Sequence, residues 1–456
     1  MDNKSKVIIK EEELICVDLN HEGLGVVKSE GIPYFVEGLL PGEKAKVCIT
    51  RKENAKFGSG EIIKLINESK DRVKPICPNF GLCGGCDLLH MNYQSELKFK
   101  LKMVNETFSR LGHLDFKFKE IVGAKTEYSY RNKVQIPFKM KKGRVSYGFF
   151  QKKSHEIIEF DNCLLESKKA SEIAKLTKNL LNELKVDAYD EIEDKGLFRH
   201  LLIRKTYDNK YMVVFIVNNK DKSFDIEKFK IISERIKNKY QEVESIIINY
   251  NNKKNNVILG EEYDVLYGSD YLVEEILGLK FKMSHKAFFQ VNHEQTLVLY
   301  TKALEFANIS KDDKVLDCYC GVGTISLLAS RYAKEVVGIE IIPEAIDNAN
   351  MNKEMNGITN ANFIVGKAEE KINEIDDIDV LIVDPPRKGL DKSLIDTIIN
   401  KKIKRVVYVS CDPATLARDL SLLSEYYTIE RGLLVDLFPR TCHVEVISCL
   451  VFENKS

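Results

Sequence analysis

Cys411 closes an apolar run, Val406-Val407-Tyr408-Val409-Ser410, and is followed by Asp412-Pro413, so a thiol stands where a strand gives way to a turn. Two acid-bearing segments flank it in sequence. Asp384-Pro385-Pro386-Arg387-Lys388-Gly389 lies upstream, and Asp436-Leu437-Phe438-Pro439-Arg440-Thr441-Cys442-His443-Val444-Glu445 lies downstream. A soft nucleophile with a separate acid/base group is the equipment of covalent catalysis. A thiolate adds readily to C6 of a pyrimidine, and C5 then becomes nucleophilic enough to attack a sulfonium methyl. The proton left on C5 has to be removed, and Glu445 is the candidate base. The chemistry needs a populated thiolate, so nearby donors are expected to lower the Cys411 pKa. The bland alternatives are a core cysteine and an exposed strand carboxylate. His443 either positions Glu445 or is structural.

A second set of residues suits a nucleoside-like cofactor. Lys314-Val315-Leu316-Asp317-Cys318 reads as a strand running into Tyr319-Cys320-Gly321-Val322-Gly323-Thr324 at the start of a helix. Glycines there let the backbone approach a ligand. Glu340 ends the next strand, where a carboxylate can accept both hydroxyls of a ribose. Ser326 takes the place of the third glycine of a dinucleotide fingerprint. The pocket therefore suits an adenosine ligand without pyrophosphate, such as S-adenosylmethionine. Asp384 follows the strand Val380-Leu381-Ile382-Val383, in a loop stiffened by two prolines.

The third set is Cys77-x5-Cys83-x2-Cys86, with Gly84-Gly85 inside it. Three thiols in one loop suit a metal, with Cys163 or the local His90 as fourth ligand. On spacing alone zinc and iron–sulfur both fit, and a cysteine-rich structural turn is a third reading. Cysteines 16, 48, 318, 320, 442 and 449 read as small apolar residues.

These sets need a scaffold. The 456 residues, 44% hydrophobic, predict several domains of an α/β chain. Residues 1–68 read as short strands broken by glycines, the spacing of a small β-barrel. Residues 69–280 form a central α+β segment. It includes a helix near 92–111 whose apolar face, Leu97, Leu101, Val104 and Phe108, is available to pack on the catalytic domain. Residues 281–456 alternate strands and helices as a Rossmann-like, doubly wound domain, with ligands beyond the strand carboxyl ends. Lys/Arg and Asp/Glu number 69 each, so any nucleic-acid surface is local. Between Lys98 and Lys153 there are 15 Lys/Arg against 4 Asp/Glu, interleaved with Phe116, Phe118, Tyr128, Tyr130, Phe138, Tyr147, Phe149 and Phe150. That stretch is either an RNA-facing surface or a solvated basic face with core aromatics. No apolar run approaches the roughly 20 residues of a membrane span. Eleven cysteines without a secretory signal suggest a cytoplasmic protein with reduced thiols.

The segments Asp384–Gly389, Val407–Thr415 and Asp436–Glu445 resemble the signatures of the RNA uracil-C5 methyltransferase family. The likeness runs over essentially the full length and is nearest to the bacterial 23S rRNA (uracil-5-)-methyltransferases. It implies Cys411 as nucleophile and Glu445 as the base for the C5 proton. It implies methyl-donor contacts from Gln290, Tyr319, Glu340 and Asp384, and a flipped target base. It also implies a 4Fe–4S cluster on Cys77, Cys83, Cys86 and Cys163 in the central domain, and an N-terminal barrel similar to a TRAM domain, an oligonucleotide-fold relative. The implied substrate is 23S rRNA, because tRNA enzymes of the family usually lack both barrel and cluster. No membrane and no obligate protein partner are implied. The alternatives are the same reaction on tRNA and a non-enzymatic RNA-binding module. Two residues depart from the family pattern. Asp412 stands where Asn is common, which could raise the pKa of the thiol, and Arg440 stands where Gln or His is commoner.

Overall fold

The structure is a computed structural model that describes residues 7–152, 154–220 and 225–453. The catalytic sheet has eight strands in the order Ala361–Val365, Glu335–Glu340, Lys314–Cys318, Val380–Val383, Arg405–Ser410, Glu445–Phe452, Tyr427–Val435, Ile121–Val122. The first five are mutually parallel, and Glu445–Phe452 runs antiparallel to both its neighbours. Continuous apolar runs such as Val380–Val383 and Val406–Val409 are buried because helices cover both faces of a parallel sheet. The chain starts at the central strand Lys314–Cys318, builds outward on one side, and returns to Val380–Val383 on the other. The crevice between these two strands is the topological switch point, where ligands of such sheets bind.

A seven-stranded central sheet runs Ile157–Glu159, Arg144–Phe150, Lys133–Lys141, Phe198–Lys205, Tyr211–Val217, Val243–Tyr250, Glu262–Gly268. Strand alternation divides its side chains between two cores. Leu201, Ile203, Val213 and Phe215 pack under the helices Lys168–Glu183 and Ile226–Lys239. Leu202, Met212, Val214 and Ile216 face the hairpin Tyr271–Ser284, whose Leu272 and Phe281 share a core with Val315 and Val380 of the catalytic sheet. The central sheet is thus welded to the catalytic one.

The six-stranded N-terminal sheet, Val7–Ile15 to Gly58–Asn67, packs around Val27, Tyr34, Val36, Ala45, Val47 and Ile49. Arg72 leaves it by pairing with the buried Glu43, at 2.5 and 2.7 Å. The next helix, Tyr93–Arg110, is capped by Asn92, which accepts from the Ser95 N–H. Its Val104 and Phe108, with Phe118, lie in one core with Tyr408, Leu416 and Leu420. This helix and the strand Ile121–Val122 therefore complete the catalytic core, although they precede the central sheet in sequence. Among the described residues, no helix is long and apolar enough to cross a membrane.

Candidate active site

Strand register gathers the candidate residues at one edge. Cys318 pairs with Ile339 and Val383, and Val383 pairs with Tyr408. Tyr319, Glu340, Asp384 and Cys411 therefore leave the sheet together at its carboxyl edge. On the antiparallel side Ser410 pairs with Val446, so one step along the ladder brings Cys411 beside Glu445.

In the glycine loop, Tyr319, Gly321 and Gly323 have φ of 68°, 55° and 80°. A Cβ at Gly323 would lie 2.8 Å from the Phe363 ring, whereas one at Gly321 would meet nothing within 4 Å. Gly323 is thus needed for packing, while Gly321 faces open space. The Gly321 N–H donates to Glu340 Oε2 at 3.2 Å and the Ile342 N–H donates to Oε1 at 3.0 Å. Each oxygen keeps a lone pair, so Glu340 is oriented and still able to accept from a diol. Beneath the loop, Asp317 accepts from Ser326 Oγ at 2.5 Å, and burial pushes its carboxyl up to about 7. Gln290 is buried in the loop before helix His293–Ala307. Asn132 Nδ2 donates to its carbonyl at 2.9 Å, and Asn292 Nδ2 donates to Leu437 O at 3.1 Å. That second bond ties the Gln290 loop to the segment that leads to Glu445.

The acidic side of the site is electrostatically unusual. Burial raises the carboxyls of Asp384 and Glu445 well above the usual range, and the charge of Asp384 raises Glu445 further. Glu445 Oε2 is buried and has no hydrogen-bond partner among the described residues. The buried Tyr300 feels the charges of Asp384, Glu445 and Asp317. Arg387 lies beside Cys411 and Glu445. The expected lowering of the Cys411 pKa does not hold: it is pushed up to about 11, first by burial, then by Glu445 and Asp384, with Arg387 opposing. Partial burial and two carboxylates outweigh one exposed guanidinium.

The two departures have structural explanations. Asp412 caps the helix Pro413–Leu423, accepting from the Ala414 and Thr415 N–H groups at 2.9 and 3.1 Å. Its carboxyl is engaged at the helix amino end, and the larger causes of the raised thiol are burial, Glu445 and Asp384. Arg440 is buried, donates to Met91 O at 2.8 Å, pairs with Glu96 at 3.3 Å and also pairs with Glu127. Beside it, the fully buried Lys100 pairs with Glu96 at 2.8 Å and Asp436 at 2.7 Å. Tyr93 donates to the other Asp436 oxygen at 2.6 Å. This ion network fixes the segment that carries His443 and Glu445. Sequence reasoning missed Tyr300, Asp317, Arg387 and the Glu96–Lys100 pair. Arg387 alone had a usable signal, its place in the Asp-Pro-Pro loop.

Cys77, Cys83, Cys86 and Cys163 line one cleft of about 1520 Å³ with Cys411, Arg387 and His443. The N-terminal unit also lines this cleft, with Phe35 and Ser59 of its sheet and Glu37 of the turn after Ile32–Val36. The cysteine loop is distant in sequence from Cys411 but opens on the same cleft. Burial raises the Cys86 thiol, the nearby Cys163, Cys83 and Cys77 push the same way, and Arg131 opposes them. Burial likewise holds Cys163 up to about 12. Among the described residues, no three His, Cys, Asp or Glu side chains converge on a single metal-ion position. Of the eight interleaved aromatics, Phe118, Tyr130, Phe138 and Tyr147 are buried, and Phe149 and Phe150 line the cleft. The core-aromatic reading therefore holds for the first four.

A parallel sheet with its glycine loop, ribose-type acid and Asp-Pro-Pro loop at one edge defines a mixed α/β methyltransferase. More narrowly, the chain belongs to the tRNA (uracil-5-)-methyltransferase family, whose model matches residues 92–454. An RNA methyltransferase of Oceanobacillus iheyensis is 43% identical, covering 99% of each chain. Another, of Clostridium acetobutylicum, is 42% identical over 95% of each. The solved structure of the Pyrococcus abyssi tRNA (uracil-54, C5)-methyltransferase in complex with S-adenosyl-L-homocysteine superposes with a TM-score of 0.76 at 27% identity. That match covers 96% of this chain and 100% of that one.

Proposed function

We propose that the protein uses S-adenosylmethionine to methylate C5 of a uridine in 23S rRNA, through covalent addition of Cys411 to C6. The observation that carries this reading is the pairing of Ser410 with Val446, which sets a cleft-facing thiol against a buried carboxyl. The flipped uracil enters from the cleft. The Cys411 proton leaves to solvent there, and Arg387 stabilises the thiolate. Sulfur bonds C6, and the electrons of the C5–C6 double bond form a bond from C5 to the methyl carbon. When bound, the donor supplies that methyl on a positively charged sulfur, which keeps the electron pair of the broken bond. The Glu445 carboxylate takes the C5 proton, the double bond re-forms, and the C6–S bond breaks to return the thiolate. Gln290, Tyr319, Glu340 and Asp384 hold the donor, with Glu340 accepting from its ribose.

Residues 1–68 serve in this reading as a TRAM-like RNA-binding barrel, residues 69–280 as the central unit, whose helix Tyr93–Arg110 and strand Ile121–Val122 join the catalytic core, and residues 281–456 as the catalytic unit. Cys77, Cys83, Cys86 and Cys163, which line the cleft, would hold a 4Fe–4S cluster in this reading. The support for this is that Cys163, Cys83 and Cys77 all lie close enough to Cys86 to raise its thiol, and cubane clusters take four cysteines. An rRNA substrate puts the protein in the cytoplasm. The same reaction on tRNA is the second reading. The Pyrococcus abyssi tRNA enzyme favours it, since that likeness extends over 96% of this chain and weakens the N-terminal modules as a guide to rRNA.

Glu445→Gln tests the mechanism. The variant is expected to trap a methylated RNA–protein adduct that survives a denaturing gel. A folded, donor-binding variant that forms no adduct contradicts the assignment of Glu445.

A further inference from the structure

The segment that delivers Glu445 is fastened to the cysteine loop as well as to its own sheet. The N–H groups of Asp87 and Leu88 both donate to Arg440 O, at 3.0 and 3.2 Å. The Asp87 carboxylate accepts from the Cys442 N–H at 3.2 Å. Its other oxygen pairs with Lys152 at 3.2 Å, and Lys152 pairs with Glu37, in the turn after strand Ile32–Val36 of the N-terminal sheet, at 2.8 Å. That sheet also touches the segment directly: Gly23, at φ 75°, approaches so closely that a Cβ there would lie 2.7 Å from Cys442 Sγ. Arg440 has φ 70°, in the left-handed region that a side-chain-bearing residue rarely adopts. The N-terminal sheet, the cysteine loop and the Lys152 strand end thus converge on residues 440–442, three positions before Glu445. Glu445 has one carboxylate oxygen without a side-chain or backbone partner, so its placement depends on how its backbone is held.

We propose that Asp87 is a positioning residue for Glu445, coupling the walls of the RNA cleft to the group that removes the C5 proton. The inference rests on Glu445 being that group. Asp87 lines the same cleft as Cys411, but its carboxylate is engaged with the Cys442 N–H and Lys152, so its loss is expected to slow adduct breakdown far more than adduct formation. A misplacement of the order of 1 Å is enough to slow a proton transfer by about tenfold to a hundredfold.

The test is a single-turnover time course on the full chain with S-adenosylmethionine and an unmodified rRNA transcript, scoring adduct on a denaturing gel. Wild type, Asp87→Ala, Asp87→Asn, Lys152→Met and Glu445→Gln are run in parallel, with amide exchange followed over residues 440–445. Asp87→Ala is expected to form adduct at close to the wild-type rate, to resolve it about tenfold or more slowly, and to lose amide protection at Cys442. Asp87→Asn keeps the oxygen acceptor and is expected to restore both. Lys152→Met loosens Asp87 without removing that acceptor and slows resolution to a smaller extent, which keeps the test open if the alanine variant does not fold. Wild-type resolution in the folded Asp87 and Lys152 variants overturns the proposal, as does equal slowing of formation and resolution. If Glu445→Gln itself resolves adduct normally, the assignment of the base has failed instead.

Discussion

Cys411 and Glu445 face each other because Ser410 and Val446 are paired on adjacent antiparallel strands. Thirty-four positions of chain separate the two residues, yet one step along a ladder joins them. The register also explains a conflict: burial is the main cause of the raised thiol, and the carboxyl close enough to serve as base adds to it.

Cys411→Ala is expected to abolish methyl transfer and adduct formation together. Donor affinity should stay within about threefold of wild type, because the glycine loop and Glu340 do not touch the thiol. Calorimetric titration with S-adenosylmethionine checks the second half, and residual turnover contradicts the covalent route.

The pH dependence of adduct breakdown follows from the raised Glu445 pKa. A base acts in its deprotonated form, so the rate rises with pH and falls as Glu445 gains its proton. An ordinary glutamate near pKa 4.3 gives a rate that is flat above about pH 6. Here the rising limb is expected near neutrality, and a flat profile from pH 5.5 to 8.5 in single-turnover chase experiments counts against it.

Arg387→Ala removes the cation that opposes the upward shift of both Cys411 and Glu445. Alkylation of Cys411 by iodoacetamide at pH 8 should slow several-fold, since the thiolate fraction falls as the thiol pKa rises. The breakdown limb should move to higher pH in the same variant. Unchanged alkylation means that Arg387 does not stabilise the thiolate.

Lys100→Met leaves Asp436 and part of Glu96 buried without their cation. Breaking a buried ion pair in this way costs about 3–5 kcal/mol. Chemical denaturation should show a lower midpoint, and a midpoint equal to wild type would show that the network adds nothing to stability.

The parts of the site that sit at strand ends were legible in the sequence. Val380–Val383 and Val406–Ser410 are unbroken apolar runs, so the residues after them had to emerge at one edge. Glu340 and the glycine loop followed from the strand–helix pattern. Lys100 was not legible, because a Glu96–Lys100 pair at i,i+4 is also the ordinary pattern of an exposed helix face. Ile121–Val122 joins the catalytic sheet with two residues, too few to show a period. Tyr300 lies in an apolar helix and reads as core. The role of Arg440 was invisible because its partners, Met91, Glu96 and Glu127, come from more than 300 residues upstream.

The most direct measurement is methyl transfer from S-adenosylmethionine to unmodified 23S rRNA and tRNA transcripts in parallel, read by nucleoside mass spectrometry. The account predicts 5-methyluridine in the 23S rRNA and none in tRNA. Product in tRNA alone contradicts the substrate, and no methylated uridine in either contradicts the reaction.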